Sequence, residues 1–502
     1  MALITRRAAI GGFVTAPILR SRPRRKPNLL FILADDHAGY VLGCDGNRVA
    51  HTPNLDRLAE QGMRFANHYC NSPVCTPSRQ GLLTGQMPHA AGVTLLATSL
   101  SPDKPTLAKQ FQKAGYQTAV IGKMHFNRRA APGLYGFDTM MTEDVVNQAW
   151  PAEMRPRPIP DGISTKPAEW RPFRDPARIW LNADHLPFAR YEEEMRGSFI
   201  ARKSIRYLEQ NRSRPFALWT SFMEPHSPFD FPIEDRARYD ADRFSVPRVG
   251  PEDRGQIPQV FRDLSDEDKR GINAAYYSSV AFLDRNVGRV LDALRRLRLD
   301  EDTLVIYIAD HGYSLGQHGR FEKHCGYDPA LRTPLMFRLP GVVHRGVTRD
   351  LTEHVDVAST ITDLMGLDPL PDSHGQSLRP YLEGRPVAQP RDYIFSEYLE
   401  NEEAFVRTAE WKYIFCSGKR ARKDGYQTEN PTPGRSRRLY DLATDPGEFT
   451  NVAARYPDVA ARLEGLMLDR FRATHPDREK EPQRISREEA LEFYLRPRDA
   501  TE

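Results

Sequence analysis

Four apolar runs of strand length, each stopped by charged or imidazole side chains, constrain this chain more than any other feature. Leu29-Leu30-Phe31-Ile32-Leu33-Ala34 runs into Asp35-Asp36-His37, and residues 118–121 are followed, after Gly122, by Lys123 and His125. Residues 216–222 run into Glu224-Pro225-His226, and residues 304–309 end at Asp310-His311-Gly312. A continuous apolar run of this length reads as a strand buried on both faces of a parallel sheet. In an open α/β sheet the ligand crevice lies beyond the carboxyl ends of the strands. Singly, each cluster reads as a strand ended by solvated charge; four in one chain argue for a shared site.

The segments between these runs read as helices. Thr52-Pro53 opens one with a cap and a proline at the first helical position, and Gly62 closes it. Residues 105–114 form another, ended by Gly115. Ser265 with Asp268 resembles a capping box, after which Ile272, Tyr276, Val280, Leu283, Val287, Leu291 and Leu294 step by three or four along a long helix packed on the sheet. Residues 356–365 read as a helix stopped at Gly366. The fold class that follows is α/β: a large, mostly parallel sheet flanked by helices on both faces.

Past a Pro- and Gly-rich stretch near residues 380–390, residues 410–415 and 438–442 read as strands of a smaller antiparallel sheet and residues 457–474 as a closing helix. Length agrees with this division, because 502 residues exceed what one core holds and suit a large domain with a smaller α+β companion. Eight prolines between Trp150 and Pro187 break regular structure there, which makes that segment either a substrate rim or a surface insertion. Lys419, Arg420, Arg422, Lys423, Arg435, Arg437 and Arg438 lie between the two smaller-sheet strands, either as a solvated hairpin or as a contact for an anionic saccharide.

The formal charge of +4 comes from the first 26 residues, which hold seven basic groups and no acid; the remainder is acidic, which argues against nucleic acid as a partner. Thr5-Arg6-Arg7 followed by apolar residues 8–19 looks like a twin-arginine export signal, implying a periplasmic or secreted protein; a basic tail on a cytoplasmic protein is the alternative. No apolar run reaches membrane-spanning length. Five scattered cysteines form neither a disulfide framework nor a C-x-x-C pair.

One of those cysteines stands out. Cys75 lies at the start of what reads as a short helix closed by Gly85, where free N–H groups and the helix dipole favour a thiolate. Pro77 and Arg79 follow at fixed offsets. Cys75-Thr76-Pro77-Ser78-Arg79, continued by Leu82-Leu83-Thr84-Gly85, resembles the signature of the formylglycine-dependent sulfatases of the alkaline phosphatase superfamily. A second motif of that family appears at residues 115–125, Gly115-Tyr116-Gln117-Thr118 through Gly122-Lys123-Met124-His125. The strings around Trp411-Lys412-Tyr413-Ile414 and Leu439-Tyr440-Asp441-Leu442 are similar to the family's C-terminal subdomain, so the likeness runs from Asn28 to about Thr474. It divides the chain into residues 1–26, a catalytic domain at 27–385 and a C-terminal subdomain at 386–502.

The resemblance implies that a formylglycine-generating enzyme oxidises Cys75 to an aldehyde. One hydroxyl of the hydrated aldehyde attacks sulfur, and deprotonation of the other expels sulfate. It further implies a divalent metal held by Asp35, Asp36, position 75, Asp310 and His311. Three carboxylates suit Ca²⁺ or Mg²⁺, and the imidazole admits Mn²⁺; calcium is the expected ion. Arg79 would orient the diol, Lys123 would contact diol and sulfate, and His125 would be the base. His226 and Lys323 would bind sulfate, with His226 the proton donor to the leaving oxygen. His37, His318 and His324 are left without a role. The run Asp310-His311-Gly312-Tyr313-Ser314-Leu315-Gly316-Gln317-His318-Gly319 is similar to iduronate-sulfatase-like members and favours a sulfated saccharide, with choline and aryl sulfates open. A phosphonate monoester or phosphodiester hydrolase on the same scaffold is the alternative within catalysis, and an inactive binding protein the alternative outside it. Oligomeric state is not encoded in any of these patterns.

Overall fold

A computed structural model describes residues 26–166, 181–418 and 435–499. Its larger sheet has eight strands, in order from edge to edge Gly346–Thr348, Met63–Phe65, Leu335–Arg338, Thr303–Ala309, Asn28–Ala34, Phe216–Ser221, Gln117–Gly122 and Thr139–Met141. Only Leu335–Arg338 runs antiparallel to its neighbours. The four apolar runs legible in the sequence are thus four adjacent, mutually parallel strands, and their carboxyl ends lie side by side.

Alternate residues of these strands feed two separate cores. Leu29, Phe31 and Leu33 pack on one face with Trp219, Ile306 and Phe111. Leu30, Ile32 and Ala34 pack on the other with Leu218, Tyr307, Phe199 and Val287. This is burial on both faces, as continuous apolar strands require. The second face is covered by Arg196–Asn211 and the long helix Asp266–Arg296, whose start is capped by Ser265 and Asp268 exchanging hydrogen bonds. Leu283, Val287, Leu291 and Leu294 of that helix are buried, as their spacing predicted.

A separate four-stranded antiparallel sheet, Tyr393–Tyr398, Glu403–Thr408, Trp411–Cys416 and Ser436–Asp441, carries the helix Pro457–Thr474. It is bonded to the larger unit where the Glu397 N–H donates to the Asn71 carbonyl at 2.9 Å and the Phe395 N–H to Glu353 at 2.7 Å.

Two local expectations change. Pro151 does not break structure at Trp150; it sits inside the helix Glu143–Glu153, close enough to its end that the chain leaves the helix at Met154. Of the basic residues between the smaller-sheet strands, Arg435 and Arg437 are paired with Glu488, Glu492 and Glu464, and Arg438 is buried against Glu403 and Tyr327. Those three are committed to internal pairs, which weakens the saccharide contact; residues 419–434 lie outside the described residues. So do residues 1–25, where the export signal was expected. No described helix is long and apolar enough to cross a membrane.

Gly122 ends its strand immediately before Lys123 with φ of +109°, and a Cβ there would stand 1.7 Å from the Ser221 carbonyl oxygen. Neither the left-handed backbone nor the close approach tolerates a side chain. Gly122→Ala is expected to cost about 3 kcal/mol or more, seen as a clear fall in thermal midpoint and soluble yield relative to the unchanged chain.

Candidate active site

Helix Cys75–Thr84 is buried along its whole length and points its first residue at the ends of the four strands. Pro77 is tolerated because first-turn N–H groups have no partner inside the helix. Arg79, one turn beyond Cys75, shares its face and is wholly buried. Gly85 closes the helix in the left-handed conformation, with its N–H on the Gly81 carbonyl at 2.8 Å.

The Cys75 Sγ is 3.0 Å from Lys323 Nζ, 3.3 Å from His311 Nε2, 3.5 Å from Asp35 Oδ1 and 3.8 Å from Lys123 Nζ. Around it the carboxylates are paired with cations. Lys123 bonds Asp35, and Lys323 bonds Asp36 at 2.8 Å. Arg79 Nε donates to Asp310 at 2.7 Å, while its Nη1 donates to the Lys123 carbonyl and, at 2.9 Å, to Ser221 Oγ. Arg79 Nη2 is buried without a hydrogen-bond partner among the described residues, 3.6 Å from Asp35 Oδ1. His311 lies between two carboxylates, with Nδ1 3.3 Å from Asp36 and Nε2 3.5 Å from Asp310. His226 Nε2 is 3.9 Å from Asp36 and is the more open side chain of that pair, 28% exposed. His125 takes φ of +55°, and its N–H is held by Glu143 at 2.6 Å.

Titration follows from this packing. Burial would raise the Cys75 thiol, but Lys123, Lys323 and His311 outweigh it and hold the thiol well below its usual range. Burial pushes Asp310 up to about 6 despite Arg79. Asp35 is also buried, yet Lys123, His226 and Arg79 bring it below the usual carboxylate range. Burial works against the His311 charge, but Asp310 carries its pKa up to about 9.

Ligand atoms of Asp35, Cys75, Asp310 and His311 lie within 4.8 Å of one another, as do those of Asp35, Asp36, Cys75 and His226. Three buried carboxylates, one of them raised by desolvation, form a hard-oxygen donor set that a divalent cation would relieve. The residues present fit such an ion.

All the residues singled out from the sequence, Asp35, Asp36, Cys75, Arg79, Lys123, His125, His226, Asp310, His311 and Lys323, meet at this one place. Of the histidines left without a role, His324 lines the pocket beside Glu322. His37 is locked to Tyr307 Oη at 2.6 Å and the Val41 carbonyl, and burial lowers it to about 4. His318 pairs with Asp253 and stacks on Tyr327. Sequence reasoning missed Ser221 and Glu143. Ser221 could have been found as a polar residue near the end of the recognised run 216–222, and the strand itself ends there; Glu143 comes just after a three-residue strand too short to leave a pattern.

Above Cys75 opens a pocket of about 850 Å³, walled by Leu96, Phe126, Met223 and Tyr313 and by the polar Asn127, Arg128, Arg129 and Gln148. None of the described residues between Trp150 and Pro187 beyond the helix end lines it; residues 167–180 lie outside the described residues.

A mostly parallel sheet whose strand ends converge on one side chain, among paired carboxylates and cations, is suited to binding and attacking an anionic ester. The Sulfatase family model matches residues 27–367, and the model described as N-sulphoglucosamine sulphohydrolase, C-terminal, matches residues 316–472. The chain belongs to the sulfatase family and is a sulfuric ester hydrolase. It is 30% identical over 466 residues to a choline-sulfatase of Rhizobium meliloti, covering 85% of this chain and 82% of that one. It is 26% identical over 505 residues to an N-acetylglucosamine-6-O-sulfatase of Bacteroides thetaiotaomicron, covering 85% and 83%. Among solved structures, a phosphonate monoester hydrolase of Agrobacterium radiobacter superposes with a TM-score of 0.73 at 25% identity, covering 89% of this chain and 96% of that one.

In protein made without a maturation enzyme, iodoacetamide at mildly acidic pH is expected to label Cys75 before Cys44, whose thiol burial pushes up to about 12. Lys323→Met removes a cation at 3.0 Å and should move labelling of Cys75 to higher pH. Peptide mass mapping across a pH series reads both.

Proposed function

We propose that the chain hydrolyses the sulfate ester of a saccharide, after Cys75 is oxidised to formylglycine by a formylglycine-generating enzyme. Asp35, Asp36, Asp310 and His311 would hold a divalent cation, calcium ahead of magnesium or manganese. The observation that carries this reading is the convergence of two ammoniums, an imidazole and a carboxylate within 3.8 Å of the position-75 side chain. When bound, the cation supplies positive charge to the sulfate and acidity to an oxygen nucleophile.

The chain's own residues account for the rest. Lys123 and Lys323 are buried, charged and already aimed at position 75, so they neutralise the anion without reorganisation. Arg79 Nη2, which makes no hydrogen bond among the described residues and stands 3.6 Å from Asp35 Oδ1, has a donor to offer an oxygen there. His125, at the pocket wall with its backbone fixed by Glu143, is placed to accept a proton. His226 faces the open side, where the leaving alcohol must sit, and gives a proton to its oxygen as the sulfur–oxygen bond breaks. The balance is ester plus water to alcohol plus hydrogen sulfate.

Saccharide is favoured because the pocket far exceeds a sulfate group and carries amide and guanidinium groups beside apolar walls. The relative named for N-acetylglucosamine 6-O-sulfate points the same way, and the choline-sulfatase points away from it. The phosphonate monoester reading has its own support in the 0.73 structural match.

With 4-nitrophenyl sulfate and matured enzyme, Cys75→Ala is expected to lose at least about a thousandfold in kcat, and mass mapping of active protein should show residue 75 as the aldehyde rather than the thiol. Undiminished turnover by the alanine variant would end the proposal. Higher kcat/KM on phenyl phosphonate than on the sulfate would select the second reading.

Proton donation by His226 is checked by leaving-group dependence. His226→Gln should cost roughly 10²-fold or more on a sugar sulfate, whose alcohol leaves poorly, and much less on 4-nitrophenyl sulfate. Equal losses on the two would remove the donor role.

A further inference from the structure

One wall of the pocket is held from a distance. Leu96 is an exposed large apolar side chain, 39% accessible, and it lines the pocket mouth beside Phe126. Its loop has no regular structure, so its position depends on what grips it. On the inner side the Leu96 carbonyl accepts from Thr76 Oγ1 at 2.7 Å and from Asn127 Nδ2 at 2.8 Å; Asn127 also donates to the Thr98 carbonyl at 3.1 Å. These two residues adjoin Cys75 and follow His125. On the outer side the grip comes from the other end of the chain. Asp499, beyond the helix Arg487–Leu495, accepts from the Thr94 N–H at 2.7 Å, Thr94 Oγ1 at 2.6 Å, the Leu95 N–H at 2.9 Å and Thr98 Oγ1 at 2.6 Å. Glu400 of the same C-terminal unit accepts from the Leu96 N–H.

We infer that Asp499 is a positioning residue that fixes the 94–98 loop, so that Leu96 stands as an apolar wall for the alcohol portion of the substrate. Four donors on one carboxylate satisfy most of its lone-pair sites, and charge-assisted bonds of this kind are about twice as strong as neutral ones. The loop flanks two site residues on its inner face and answers to the C-terminal unit on its outer face. That unit therefore helps shape the substrate pocket without contributing a reacting group. Loop order prepaid in the free enzyme is ordering the substrate does not have to impose on binding.

This inference rests on the pocket being the ester site, and two measurements keep the two apart. Hydrogen exchange on a peptide spanning residues 94–98 needs no activity: Asp499→Ala should speed exchange at Thr94 and Leu95, and unchanged exchange overturns the inference whatever the enzyme hydrolyses. With 4-nitrophenyl sulfate and matured enzyme, Asp499→Ala is expected to raise KM about tenfold, a 1.4 kcal/mol loss, and to change kcat less. Asp499→Asn, which keeps one acceptor oxygen, should fall between. Leu96→Ala should raise KM comparably, and the double variant should be no worse than Leu96→Ala alone, since the two act through one contact. An unchanged KM in Asp499→Ala, or effects that multiply in the double variant, would overturn it. Leu96→Ala tests the wall by itself should the Asp499 variants fold poorly, and a normal KM there also overturns it.

Discussion

The structure depends on burying three carboxylates and three cations in one place. Each such charge taken from water costs several kcal/mol unless matched by geometry as well as sign, and here every one is matched: Asp35 by Lys123, Asp36 by Lys323, Asp310 by Arg79. With those three pairs matched, His311, whose pKa is carried up to about 9, adds a further positive charge 3.3 Å from the position-75 side chain. The thiol there is held low by Lys123, Lys323 and His311, against the burial that raises Cys70 nearby. An anionic ester entering the same spot meets charges already in position.

Strand order makes that pairing feasible. Asp35 and Asp310 lie level because Ala34 and Ala309 are register partners in neighbouring parallel strands, and Lys123 is set beside Ser221 by the pairing of Gly122 with Ser221. The cysteine helix then needs only to end over this junction. Arg79 ties it down, reaching the carboxyl end of one strand through Asp310 and those of two others through Ser221 and the Lys123 carbonyl. The floor of the site is accordingly built on strand ends and one buried helix, and its mouth on loops.

The smaller sheet is coupled to this floor through charge as well. Lys412, fully buried, bonds Asp328 at 2.7 Å and Glu448 at 2.8 Å, and Arg407 joins Asp328 at 3.2 Å. Asp328 opens the short helix that follows the Lys323 loop, so the C-terminal strands brace the segment carrying a site lysine. On another side His89 pairs with Glu397 at 2.6 Å. The C-terminal unit therefore supports the catalytic pocket at several separate points.

Much of this was legible in the chain itself, and for a local reason. A buried strand must be apolar throughout and must stop where polar work begins, so the four runs announced both the sheet and the rim of its crevice. The likeness of two motifs to those of the sulfatase family marked Cys75, Arg79, Lys123 and His125. Helix caps such as Ser265 and Gly85 are likewise short-range and were read correctly. What the chain could not show was anything set by contact between distant segments. That Lys323 lies nearer the thiol than Lys123, that Ser221 and Glu143 hold site residues, and that His37 is spent on Tyr307 all depend on strand order and side-chain packing. The sequence alone determined which elements form and which residues stand at their ends, because those follow from periodicity and capping over a few residues. Only the tertiary structure decided which charges pair and which loops wall the pocket, because a buried ion's partner is whatever the fold brings within about 4 Å of it.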